Sequence, residues 1–228
     1  MHNAKILIAA LGPALFAASP ARAADISGNV TVVSDYRYRG LSLSDGKPAL
    51  QGELDLDAGG GFYGGLWGST IRDEGKTRSE VDLIGGKEFE LAPAITLDLS
   101  ATYYTYPSAS EDDYFEGTAS VSAEHGPITG KAGVSFAPEQ RALENETGRK
   151  LANTYYFVGA DYQLPHRLPK LSAQFGYERG PFDANLRGGK WDWNLAAQAD
   201  LKRVSLLVML IDSSASRATL LAALSLKI

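Results

Sequence analysis

After residue 24, apolar and polar residues alternate one by one along almost the whole chain, and clusters of turn residues break the alternation at regular intervals. Period two marks a strand with one apolar and one polar face, and helical periodicity is nearly absent. The pattern predicts an all-β fold with strands at 28–40, 48–58, 62–71, 80–91, 95–106, 114–125, 128–137, 153–164, 170–179, 191–201, 204–212 and 218–228. That is about twelve, an even number as in single-chain bacterial outer-membrane barrels. The expected fold is an antiparallel transmembrane β-barrel with both termini in the periplasm.

The stretch "SDYRYRGLSLSDGKPALQGELDLD" shows the division of faces. Asp35, Arg37 and Arg39 lead in on one face, and Gln51, Glu53, Asp55 and Asp57 return on it. Val32, Tyr36, Tyr38, Leu50, Leu54 and Leu56 occupy the other. Alternation alone fits a soluble barrel with an apolar interior equally well, so further patterns must decide. The connections are the first. Long polar ones ("LSLSDGK", "RDEGKTRS", "PSASEDD", "APEQRALENETGRKLA", "ERGPFDANLRGGK", "DSSASR") alternate with short ones ("GGG", "LAPA", "HGP", "LPHRLPK", "KR"). Membrane barrels have this asymmetry, with short turns on the periplasmic side and longer loops outside. Aromatic residues also gather toward strand ends: Tyr36 and Tyr38, Phe62, Tyr63 and Trp67, Tyr103 to Tyr106, Tyr155 to Phe157, Trp191 and Trp193. Such rings are expected in girdles at the two membrane interfaces. The last strand puts Leu220, Ala222, Leu224, Leu226 and Ile228 on one face, although it ends in Ile228 rather than an aromatic residue.

The chain opens with Lys5, an apolar run from Ile6 to Ala18, and an Ala-Arg-Ala, the layout of a cleaved export signal over residues 1–23. Its apolar run is shorter than the ~20 residues of a spanning helix. Residues 24–228 are then the barrel domain. Removing the signal takes away Lys5 and Arg22 and no acid, so a net charge of −5 becomes −7. That acidity argues against a nucleic-acid partner. The chain has no cysteine, which excludes disulfides and thiolate metal sites.

The run from Ser34 to Ser69 resembles the TorF family, porin-like proteobacterial outer-membrane barrels of unknown function. The resemblance rests on "SDYRYRGLSLS", on "KPALQG" and on "GFYGGLWGS", covers Ser27 to about Gly86, and departs at Leu43, where Gln is common in the family. It implies a porin-like barrel and brings no catalytic residues with it.

In a barrel the polar faces line the lumen. The candidate pore-lining residues are Asp35, Arg37, Arg39, Glu53, Asp55, Asp57, Glu80, Asp82, Asp98, Glu116, Lys131, Glu178, Asp192 and Asp200. Acids outnumber bases, which favours cations in a water-filled lumen. About twelve strands fall between barrels filled by side chains and those that leave an aqueous channel. The interior is therefore either an open pore or plugged, with Arg37 and Arg39 paired to acids such as Glu53 and Asp55. The sequence leaves open that a loop, the long one at 137–152 before the others, folds into the barrel as a constriction. Enzymatic chemistry is not expected. His125 and His166 both sit in short turns without a nucleophile pattern, and no G-x-S-x-G elbow is present. No cofactor or metal site is expected, and the acidic runs "SEDD" and "ENE" lack the spacing of a Ca²⁺ loop.

The expected function is an outer-membrane porin for passive diffusion of small hydrophilic solutes, weakly cation-favouring, with membrane lipid and the outer-membrane assembly machinery as its partners. The alternatives are a non-conducting structural or adhesive barrel and a soluble periplasmic β-barrel that binds a ligand.

Overall fold

The computed structural model describes residues 25–73, 76–145, 147–165, 169–184 and 188–228. The expected export signal at 1–23 and His166 lie outside the described residues. Among the described residues fourteen strands follow in chain order: β1 (Asp25–Val33), β2 (Arg37–Tyr38), β3 (Leu41–Ser42), β4 (Ala49–Gly59), β5 (Phe62–Asp73), β6 (Lys76–Ala92), β7 (Ile95–Thr105), β8 (Tyr114–His125), β9 (Ile128–Ala137), β10 (Asn153–Gln163), β11 (Lys170–Arg179), β12 (Lys190–Leu201), β13 (Val204–Ser213) and β14 (Ser216–Lys227). Twelve of them form a closed antiparallel barrel, in which β1 completes the ring by pairing with both β4 and β14. β2 and β3 form a separate small ribbon. Closure pairs the strand edges with one another, which a bilayer requires because it offers no water to unpaired backbone.

The side chains resolve the ambiguity of the alternation. On β12, Leu195 is 52% exposed and its neighbour Asn194 only 2%. Around the ring Leu54, Leu66, Leu83, Leu99, Val121, Val158, Phe175, Val208 and Leu224 are exposed on the outer surface, whereas Glu53, Glu80, Asp82, Asp98, Glu116 and Asp192 are buried. A soluble barrel has the opposite polarity. An apolar outside around a charged inside is what lipid selects. Leu195→Arg therefore places a charge against the acyl chains, and urea-titrated refolding into liposomes is expected to register a loss of about 2–4 kcal/mol. A loss near zero would mean that this surface faces water.

Only some of the aromatic residues form the expected outer girdles. Tyr103 pairs with Phe115, and Tyr177 with Trp191, on the outer face toward one end of the barrel. Toward the other end the Lys87 ammonium lies 4.0 Å from the ring centroid of Phe62 and 4.9 Å from that of Phe89, an arrangement suited to an interfacial belt. Tyr36, Trp67, Tyr104, Tyr155 and Phe157 are instead buried inside, and Tyr63 bonds to the inward Asp98. Period two sends every second ring inward, so clustering in sequence does not report the face.

The connections sort by end, as expected. Tight turns at 60–61, 93–94, 126–127 and 202–203 lie at the end that also holds Asp25 and Ile228, and the residues 34–48, 106–113, 138–145, 147–152, 180–184 and 188–189 lie at the other. Gly61 shows how close one tight turn runs: a Cβ there would come within 2.4 Å of the Glu88 carbonyl oxygen. Two of the expected long loops are short. β5 runs to Asp73 and β6 resumes at Lys76, and β13 ends at Ser213 with β14 starting at Ser216, because the polar residues there continue the ladders beyond the apolar band. The largest difference is at the start. The strand expected over 28–40 stops at Val33, and residues 34–48 fold back into the barrel.

Candidate functional site: an infolded hairpin in a charged lumen

The tip of segment 34–48 is a two-residue turn between Tyr38 and Leu41. Arg39 and Gly40 have φ of 47° and 84°, the paired positive values of a type I′ hairpin turn. Arginine is uncommon in that conformation. Gly40 is confined as well, since a Cβ would sit 2.6 Å from the Cβ of Ser213 on β13. The base of the hairpin is held by Asp35, which accepts from Arg37 Nε at 2.5 Å, Ser42 Oγ at 2.6 Å and Ser44 Oγ at 3.1 Å. Ser44 Oγ also receives the Tyr36 N–H at 2.8 Å.

An apolar bed inside the barrel anchors one side of the hairpin. Tyr36 and Leu43 pack against a cluster that includes Val33, Trp67, Ile71, Leu207, Met209, Ile211 and Leu221, with the Tyr36 and Trp67 rings 5.3 Å apart. These inward apolar residues of β13 and β14 explain why the lumen is not polar all round: they seat the loop.

From the tip, Arg39 crosses to the opposite wall. Its Nη2 meets Glu116 Oε1 of β8 at 2.5 Å, and its Nη1 meets Glu178 Oε1 of β11 at 2.7 Å. The guanidinium lies 4.1 Å from the Tyr155 ring centroid and 4.6 Å from that of Tyr38. Lys190 Nζ of β12 donates to the Arg39 carbonyl at 2.8 Å and pairs with Glu178 Oε2 at 2.6 Å. Glu178 and Lys190 are each 1% exposed or less. Two cations and two carboxylates thus neutralise one another where water is scarce, the condition under which a buried ionic cluster is tolerated. The Tyr38 hydroxyl adds bonds to Tyr104 at 3.0 Å and to Glu116 at 3.4 Å.

Other loops cover this layer. Leu143 is buried with Tyr104, Tyr114 and Ala137, and Phe182 lies 5.0 Å from Tyr114. The constriction expected from 137–152 is therefore supplied by 34–48, and the later loop lies over it.

The candidate lining residues fall into three groups. Asp35, Arg37 and Arg39 belong to the hairpin and not to a barrel strand, and their partners are not the expected Glu53 and Asp55: Arg37 pairs with Asp35, and Arg39 with Glu116 and Glu178. Glu53, Glu80, Asp82, Asp98, Glu116, Glu178 and Asp192 are buried on the inner wall. Glu53 accepts from Asn29 at 2.6 Å, Asp98 from Tyr63 at 2.7 Å, Asp192 from Tyr155 at 3.1 Å and Glu80 from Tyr106 at 2.9 Å. Asp55, Asp57 and Lys131 are half-buried toward the tight-turn end, and Lys131 senses Asp98, Glu88 and Asp161. Asp200 is exposed at the tight-turn rim and accepts from the Ser205 hydroxyl. Sequence reasoning missed Glu88, Lys190, Tyr104 and Tyr155. Glu88 shares the parity of Glu80 and Asp82 on β6 and was within reach of the pattern; Lys190 was hidden in an apparent turn. Burial first, and then the Glu80 carboxylate, hold the Tyr106 hydroxyl above the ordinary phenol range, so it remains a neutral donor to Glu80.

Solved structures with similar folds include outer-membrane channels. A structure of the NanC porin superposes with a TM-score of 0.59 at 8% identity, covering 88% of this chain and 97% of that one. The COG4313 outer membrane channel from Pseudomonas putida gives a TM-score of 0.56 at 11% identity, covering 95% and 98%. At such identities the likeness concerns the fold. No curated protein matches the sequence. A family model described as "Bacterial protein of unknown function (Gcw_chp)" matches residues 17–224, and the chain belongs to that family.

Proposed function

We propose that the protein is a porin-like channel of the bacterial outer membrane, exported by a cleaved signal at 1–23, with both termini in the periplasm. It passes small hydrophilic solutes by diffusion, with a weak preference for cations. The observation that carries this reading is the inverted polarity of the barrel: exposed apolar side chains outside, and buried carboxylates in excess over lysine and arginine inside. The resemblance of the first hairpins to TorF porin-like proteins supports the same reading. No step in it calls for an enzyme, a metal or a cofactor.

The hairpin at 34–48 supports a second reading, a non-conducting barrel, because it reaches from the apolar bed to β8, β11 and β12 across the lumen. Planar-bilayer recording of the refolded protein under a KCl gradient separates the two. Discrete conductance steps with a cation-selective reversal potential are expected. Silence from protein that is verifiably inserted would leave the plugged barrel.

A further inference from the structure

Beside the hairpin lies a pair of carboxylates with no counter-charge among the described residues. Glu80 and Asp82 point inward from β6, and both are more than nine-tenths buried. Glu80 Oε1 receives the Tyr106 hydroxyl at 2.9 Å, but Glu80 Oε2 and Asp82 Oδ1 are buried without a hydrogen-bond partner. Among the described residues no lysine or arginine acts on either carboxylate; Asp82 senses Glu80, and Glu80 the hydroxyls of Tyr106 and Tyr36. The nearby arginines of the hairpin are engaged by Asp35, Glu116 and Glu178. Two adjacent buried carboxylates with unused oxygens are costly when ionised, and either a proton or a cation that joins them relieves that cost.

The surroundings indicate what that cation is. Asp82 sits in register between Trp67 of β5 and Tyr104 of β7, so aromatic side chains flank it on both sides. The Tyr36 ring, 5.3 Å from Trp67, closes the site from the hairpin. Ca²⁺ and Mg²⁺ want six or more oxygen ligands, and among the described residues no group of three acidic, histidine or cysteine side chains could hold a metal. An ammonium uses both features present here: its N–H groups satisfy carboxylate oxygens, and its charge is attracted to ring faces.

We propose that Glu80 and Asp82, enclosed by Trp67, Tyr104, Tyr106 and Tyr36, bind a small monovalent organic ammonium ion. This rests on the channel reading, since the lumen is the route by which the ion arrives. The test is titration of the detergent-solubilised full barrel with methylammonium chloride, with KCl at matched ionic strength as the control. Binding is followed by calorimetry and by tryptophan fluorescence, in which Trp67 is inside the site and Trp191 and Trp193 are outside on the lipid face. Saturable heat and a fluorescence change are expected. Asp82→Asn and Glu80→Gln are each expected to weaken binding roughly tenfold or more, the effect of losing one charge-assisted hydrogen bond. Trp67→Phe should abolish the optical signal while heat remains. Absence of saturable heat, equal affinity for potassium, or unchanged affinity in both carboxamide variants would overturn the proposal. Conductance in KCl is scored separately. A barrel that conducts but does not bind methylammonium loses this site alone, and one that binds but stays silent loses the channel.

Discussion

Replacing residues 34–48 with Asn-Gly is expected to raise single-channel conductance severalfold. Val33 and Ala49 are directly paired across β1 and β4, so a two-residue type I′ turn joins them without disturbing the ladder. The change removes the Tyr36 and Leu43 anchors and the Arg39 crossing while leaving the twelve wall strands intact. It also bares Leu207, Met209 and Ile211 to lumen water, so some stability is lost with the obstruction. The measurement is step amplitude in symmetrical KCl, compared with wild type from the same refolding batch. Equal amplitudes would mean that the conducting path does not run past the hairpin.

Arg39→Met carries the second large effect. It leaves Glu116 without its cation and Glu178 with Lys190 alone, and stripping one partner from a buried ionic cluster costs about 3–5 kcal/mol. Urea unfolding in detergent micelles reads that loss, and bilayer traces should show longer or more frequent openings because the tip is no longer tied to the far wall. Adding Glu116→Gln to Arg39→Met removes the stranded charge and is expected to recover part of the stability without restoring closure. If the single variant is as stable as wild type, the ionic cluster does not hold the hairpin in place.

Much of the wall was readable from the alternation. Strands such as 114–125, 128–137 and 170–179 have the expected bounds, since their periodicity is unbroken and Gly or Pro marks most of their ends. Which face meets lipid was not readable from alternation, which is identical for both solvents. The hairpin was hidden for a more specific reason. Tyr36 and Tyr38 alternate with Arg37 and Arg39 in step with β1, so the segment reads as more of the same strand. The local signs of a turn were present in Arg39-Gly40 and in Asp45-Gly46, all four with positive φ. The pairs from Arg39 to Glu116 and Glu178 span 77 and 139 positions, and nothing local encodes them. The site at Glu80 and Asp82 was half legible: the acids belonged to the expected lining, but their aromatic enclosure was assigned to the outer girdles.

Ring closure is the thinnest part of the wall. β1 and β14 share five paired positions, from Asn29 opposite Lys227 to Val33 opposite Ala223, against nine between β1 and β4. The hairpin reinforces that seam. Ser34 exchanges bonds with Ala222 in both directions, its N–H donating at 2.9 Å and its Oγ accepting at 3.0 Å. Ser216 Oγ donates to the Gly40 carbonyl at 2.8 Å and accepts from Arg37 at 3.2 Å. A slip of β14 by two residues keeps its apolar face outward, so lipid does not penalise it, yet it moves Ser216 and Ala222 by about 7 Å. The hairpin then loses its hold at both points. The alignment of the last strand is thus read out, at two points, by the loop that joins β1 to β4.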